Sequence, residues 1–120
     1  MARTLITANG ILDMRDQDFN LAAGDADLPF EAGDDVNGNM TPATGRELIF
    51  AQNTDVGAQT ITVDGAALGD GRDGAITDYS LAADDIAVFK GYPQSAYRQT
   101  DGMIHINVSD TTVKLCVVRV

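Results

Sequence analysis

Apolar and polar residues alternate most regularly in the last fifth of the chain, from Tyr97 to Val120. Ile104, Ile106 and Val108 alternate with His105 and Asn107, and Val113, Leu115 and Val117 alternate with Lys114 and Cys116. A period of two places successive side chains on opposite faces of a strand, so the stretch predicts two half-buried strands. Ser109 to Thr112 is a polar connection of hairpin length. Thr100-Asp101-Gly102 turns the chain into the pair, because Asp-Gly accepts the positive φ angles of tight turns.

Weaker versions of the same pattern recur upstream. Glu47 to Gln52 reads as a strand, Asn53 to Gly57 as a turn, and Ala58 to Val63 as the partner strand, stopped by Asp64-Gly65. Ile76 to Leu81 and Asp85 to Lys90 follow, parted by Ala82-Ala83-Asp84, and Gly91-Tyr92-Pro93 leads on to Ala96–Gln99. Arg3 to Ala8 reads as a first strand ended by the turn dipeptide Asn9-Gly10. Helical periodicity is absent, as are repeats of solenoid length. The expected fold is all-β, a β-sandwich or jelly roll of about eight short strands. Its expected core is Leu48, Phe50, Ile61, Val63, Ile86, Val88, Ile104, Ile106, Val113, Leu115 and Val117.

Residues 11–43 differ from the rest. They carry Asp13, Asp16, Asp18, Asp25, Asp27, Glu31, Asp34 and Asp35 against Arg15 alone, with Leu12, Met14, Phe19, Leu21, Leu28 and Phe30 scattered without a period. Gly24, Pro29, Gly33, Gly38 and Pro42 interrupt them. In a single domain spanning 1–120, this segment reads as an irregular acidic arm or long loop. Apolar side chains with no periodic place in the core imply burial against a partner.

Charge narrows the choice of partner. Eighteen Asp and Glu against eight Lys and Arg give a formal net charge of −10. Such a surface repels phosphate backbones and anionic membranes. No apolar run approaches the roughly 20 residues of a membrane span. The first ten residues lack a leader's apolar stretch, so synthesis and first folding in a cytoplasm are expected.

Candidate chemistry is sparse. His105 is the single histidine, and it alternates with core-facing isoleucines, which predicts an outward side chain without catalytic partners. Cys116 is the single cysteine, so an internal disulfide and a multi-cysteine metal site are excluded, and its apolar neighbours predict a small buried hydrophobe. Asp16-Gln17-Asp18, Asp25-Ala26-Asp27 and Asp34 to Asn39 offer oxygen ligands for a hard cation. Their glycine falls at the wrong position for an EF-hand loop and no bidentate Glu follows, so turn-forming acids are the preferred reading and no metal or cofactor is assigned. Asn39-Met40-Thr41 and Asn107-Val108-Ser109 match the glycosylation sequon by coincidence if no leader exports the chain. Gly69 to Gly74 reads as a hairpin loop, with Arg72 free to anchor to an acidic neighbour. Tyr79, Tyr92 and Tyr97 read as core edges or subunit contacts.

The run Asn53-Thr54-Asp55-Val56-Gly57-Ala58-Gln59-Thr60-Ile61-Thr62-Val63 is followed by Gly71-Arg72-Asp73-Gly74-Ala75-Ile76-Thr77 and by Tyr79 to Phe89. Together with Tyr97-Arg98-Gln99 and the Asp101-Gly102 hairpin, this texture resembles the small head decoration, or cement, proteins of tailed bacteriophages. The likeness spans Leu48 to Val120 and rests on strands and turns. It implies a β-sandwich that forms a homotrimer on the outside of an icosahedral shell and bridges subunits of the major capsid protein. The expected location is therefore the outer capsid surface of a virion, with no nucleic-acid or membrane partner. Candidate partner contacts are Arg3, Leu12, Phe19, Leu21, Leu28, Phe30, Arg72, Tyr92 and Tyr97.

A non-enzymatic structural role is expected on these grounds, with a carbohydrate-binding or adhesin module as the alternative and a small β-fold enzyme third. A cupin holds its metal with several histidines, and one cannot do so. A sugar-binding face normally exposes a row of aromatics, and tryptophan is absent here.

Overall fold

β-Branched and aromatic residues dominate the regular stretches, and such side chains fit a pleated, half-buried surface. The computed structural model describes residues 2–10, 28–66 and 75–120. In chain order the strands are β1 (Thr4–Leu5), β2 (Asn9–Gly10), β3 (Glu31–Ala32), β4 (Asn39–Pro42), β5 (Glu47–Asn53), β6 (Gln59–Val63), β7 (Ile76–Leu81) and β8 (Ile86–Lys90). A single helical turn, α1 (Gln94–Tyr97), precedes β9 (Met103–Val108) and β10 (Val113–Arg119). One sheet has the order β1-β4-β9-β6-β7, the other β2-β10-β5-β8, with β3 also joined to β10. The expected all-β sandwich is therefore the fold.

Connectivity departs from the expected hairpins. β5 and β6, β7 and β8, and β9 and β10 are consecutive strands, yet the members of each pair lie in different sheets. Their short links are arches across the sandwich. A few polar residues span either a hairpin or the ~10 Å between packed sheets, so loop length does not decide between them. Asn53 fixes two arches at once. Its buried amide donates to Gly57 O at 2.8 Å and Leu81 O at 2.9 Å, while its Oδ1 accepts from Asp55 N. The true partners are distant in sequence, with β5 pairing β10 from Glu47↔Arg119 to Asn53↔Val113.

Ile6, Ile49, Ala51, Ile61, Val63, Leu81, Ile104, Ile106, Val113, Leu115 and Val117 meet between the sheets. Four expected core residues are absent from it. Leu48 and Phe50 are only half-buried, and Ile86 and Val88 are 59% and 55% exposed. β5 turns Glu47, Ile49, Ala51 and Asn53 inward instead, and β8 turns Phe89 inward. Both strands are apolar on both faces, so alternation alone does not reveal which face is inside.

Two further expectations are corrected. Asn9-Gly10 is not a terminating turn, because it pairs in parallel with β10, and Asn9 Nδ2 donates to Val117 O at 3.1 Å. The end of the segment read as an arm is also not irregular. β4 lies inside the first sheet between β1 and β9, and Ala43 joins the core. Its inward residues, Asn39 and Thr41, are polar, which hid the strand. The Asp101-Gly102 turn stands as expected, with Gly102 at φ 81°.

Candidate functional site

The two outer faces of the sandwich differ in chemistry. The first sheet presents Thr62, Asp78, His105 and Asn107, each engaged in a polar contact. Arg3 donates to Asn107 Oδ1 at 2.7 Å, and Asn107 Nδ2 donates to Asp64 Oδ1 at 3.1 Å. Arg3 also pairs with Asp64 at 3.7 Å. Thr62 Oγ1 accepts from Asp78 N at 2.9 Å. His105 Nε2 lies 2.8 Å from Asp101 Oδ2. The hydrogen bond from His105, with one from Met103 N, holds the Asp101 carboxyl below its ordinary value.

The second sheet presents the opposite character. Register places its outward residues in three rows: Lys90, Leu48 and Val118; Val88, Phe50 and Cys116; Ile86, Gln52 and Lys114. The rows contain no carboxylate, although the protein carries 18. They hold the chain's two lysines, at opposite corners. Part of the face is already covered, since Cys116 and Val118 are buried and Asn9 Nδ2 lies 3.8 Å from Cys116 Sγ. Burial raises the Cys116 thiol pKa, which suppresses the thiolate. Ile86 and Val88 remain open to solvent at the β8 edge. Beside them, Phe89 turns inward and meets Tyr79 edge-on, with ring centroids 5.3 Å apart.

The expected contact residues do not gather into one site. Arg3 sits on the polar face, half-buried in its network. Tyr97 packs against the core from α1. Tyr92 carries the Lys90 ammonium 4.6 Å above its ring, at the end of β8. Leu28 is exposed and Phe30 half-buried. Leu12, Phe19, Leu21 and Arg72 lie outside the described residues, as do Asp16, Asp18, Asp25 and Asp27. Asp34, from the proposed cation ligands, is committed to its turn. Its Oδ1 accepts from Asn37 N at 3.0 Å and Val36 N at 3.1 Å, and its Oδ2 accepts from Thr4 Oγ1 at 2.7 Å.

His105 and Cys116 stand on opposite outer faces, so they cannot act on one another. Among the described residues, no group of three or more His, Cys, Asp or Glu could hold a metal ion. Ile86 and Val88, assigned to the core by pattern, are the residues that sequence reasoning missed as surface. A signal was available in Phe89, the bulkiest side chain of β8 and opposite to them in phase. Compared with protein-family models, curated proteins and solved structures, the chain matches none.

Proposed function

We propose that this protein is a structural part, without catalysis, that docks on a protein surface through the outer face of its second sheet. One observation carries the reading. An acidic protein keeps the outward rows across β8, β5 and β10 free of carboxylates, with Glu31 of β3 the one carboxylate felt at Cys116, places both lysines there, and leaves Ile86 and Val88 uncovered. Exposed apolar surface next to a polar rim is what interaction sites present. The lysine corners favour a partner with carboxylates at matching positions. The resemblance stated above puts this docking on the outside of a tailed-phage capsid, where the protein bridges shell subunits and associates with itself.

Co-sedimentation with empty shells assembled from a tailed-phage major capsid protein tests the reading. The wild type is expected to pellet with shells at a fixed ratio. Ile86→Glu with Val88→Glu should abolish this, and Ser80→Glu on the polar side should not. Failure of the wild type to bind shells overturns the capsid role, and unchanged binding by the double variant overturns the choice of face.

A further inference from the structure

The geometry points to the free edge of β8 as a pairing site for a second copy of this chain, joined antiparallel so that the second sheet continues from one copy into the other. Sheet edges offer unpaired N–H and C=O groups, and folded proteins usually blunt them. β1, β2 and β3 are two residues each. β7 is bent by a register shift opposite Ile61 to Val63 and by Asp78 at φ 49°. β8 has neither defence. It is five residues long and pairs β5 without interruption from Leu48↔Lys90 to Gln52↔Ile86. Among the described residues, no strand pairs its other side.

The hydrogen-bond phase shows which groups are open. Gly91 N donates to Glu47 O and Asn53 N donates to Asp85 O, so the odd-numbered residues of β8 bond β5. Ile86, Val88 and Lys90 therefore turn their backbone groups outward along the free edge. The side chains of these same residues stand on the outer face, so backbone pairing and apolar contact coincide.

Charge selects the occupant. Read along the chain, the edge begins with Asp84 and Asp85, continues through Ile86-Ala87-Val88, and ends with Lys90. A strand acidic at one end and basic at the other complements its own reverse. A twofold axis at Ala87 places Ile86 opposite Val88 of the second copy, with about four backbone hydrogen bonds between them. It also brings Lys90 to the Asp84 end of the second copy, on both sides of the axis. The resulting contact is isologous and closes at two copies. It joins the two apolar outer faces into one strip. This deepens the docking function and rests on it for the strip's use, though not for the pairing itself.

Sedimentation equilibrium of the full chain, from low-micromolar to near-millimolar protein at physiological salt, is the test. Net charge opposes the contact at low ionic strength, and physiological salt limits that repulsion to a Debye length of about 8 Å. The wild type should approach twice 12.7 kDa. Val88→Pro removes an outward N–H while leaving the β5 bonds in place, and should remain monomeric with an unchanged circular dichroism spectrum. Lys90→Glu, which does not threaten folding, should raise the dimer dissociation constant about tenfold. In a Cys116→Ser background, Ala87→Cys should cross-link on oxidation, because its Cα atoms would lie about 4.5 Å apart across the axis. A wild type that stays monomeric or forms trimers overturns the pairing, as does a dimer that survives Lys90→Glu unweakened. A monomer that still binds shells overturns this inference alone, whereas a dimer that ignores shells overturns the capsid role alone.

Discussion

Glu47 and Arg119 face each other across β5 and β10, and Arg119 Nε donates to Glu47 Oε2 at 3.0 Å. The Glu47 side chain has no exposed surface, while a third of Arg119's remains accessible. The loop before β5 wraps the carboxylate. Thr44 N donates to Oε1 at 2.8 Å, Gly45 N and Arg46 N reach the same oxygen, and Thr44 Oγ1 donates to Oε2. A buried charge persists only when its lone pairs are met in this way. The pair also ties the last strand to the loop following β4, joining the two sheets at one end.

Removing this charge should be expensive. Glu47→Ala leaves Arg119 and the loop donors without an acceptor, and the expected loss is about 3 kcal/mol, near the low end for a buried pair because Arg119 is partly solvated. Urea titration at neutral pH measures it. A loss within 0.5 kcal/mol, about what an ordinary surface change gives, would show that the wrapped carboxylate is incidental.

The same group sets an acid limit on stability. Burial pushes the Glu47 carboxyl up, but the bonds from Thr44 and Arg119 outweigh it and hold the group below its ordinary 4.5. The stabilisation is then fully present above that value and is lost as pH falls through the lower folded pKa. Urea midpoints of the wild type should fall below pH 4.5 more steeply than those of Glu47→Gln. Parallel curves would contradict the assignment.

Core phase is testable by a paired truncation. Ile49 is fully buried, so Ile49→Ala should cost about 2–5 kcal/mol. Val88→Ala, on the opposite phase of the neighbouring strand, should stay within about 0.5 kcal/mol. The reverse order in denaturant titration would mean that β5 and β8 present their other faces to the core.

Asp101 should titrate differently once His105 is removed. The histidine hydrogen bond is the largest influence lowering this carboxyl. In His105→Ala the NMR-detected midpoint should rise towards the ordinary 3.8. An unmoved midpoint would show that the contact is absent in solution.

Cys116 should be silent towards a thiol reagent in the folded protein at mildly alkaline pH and react fully after denaturation. Burial both blocks access and raises the thiol pKa. Rapid labelling of the native state would mean that this part of the outer face opens.

By itself, the sequence determined the fold class and the positions of the regular strands from Glu47 onward, except at Ala96–Gln99, where the expected extended stretch begins as the helical turn α1. Those properties follow from local preference: period-two alternation, β-branched residues and turn dipeptides act over a few residues. The turn at Gly102 and the burial of Cys116 were legible for the same reason. Three things were decided only by tertiary structure. The first is the choice of arch over hairpin after β5, β7 and β9, since the same short link serves both and only the distant pairing of β5 with β10 distinguishes them. The second is β4, whose inward Asn39 and Thr41 carry no apolar signal and become strand by pairing with β9. The third is the face that β5 and β8 turn inward. Leu48, Phe50, Ile86 and Val88 match Ile49, Ala51 and Phe89 in hydrophobicity, so the pattern has two solutions. Wrapping of the buried Glu47 carboxylate by its loop, and capture of Asn53 by two arches, fix the phase of β5. That phase leaves Ile86 and Val88 outside, and with them the candidate docking face.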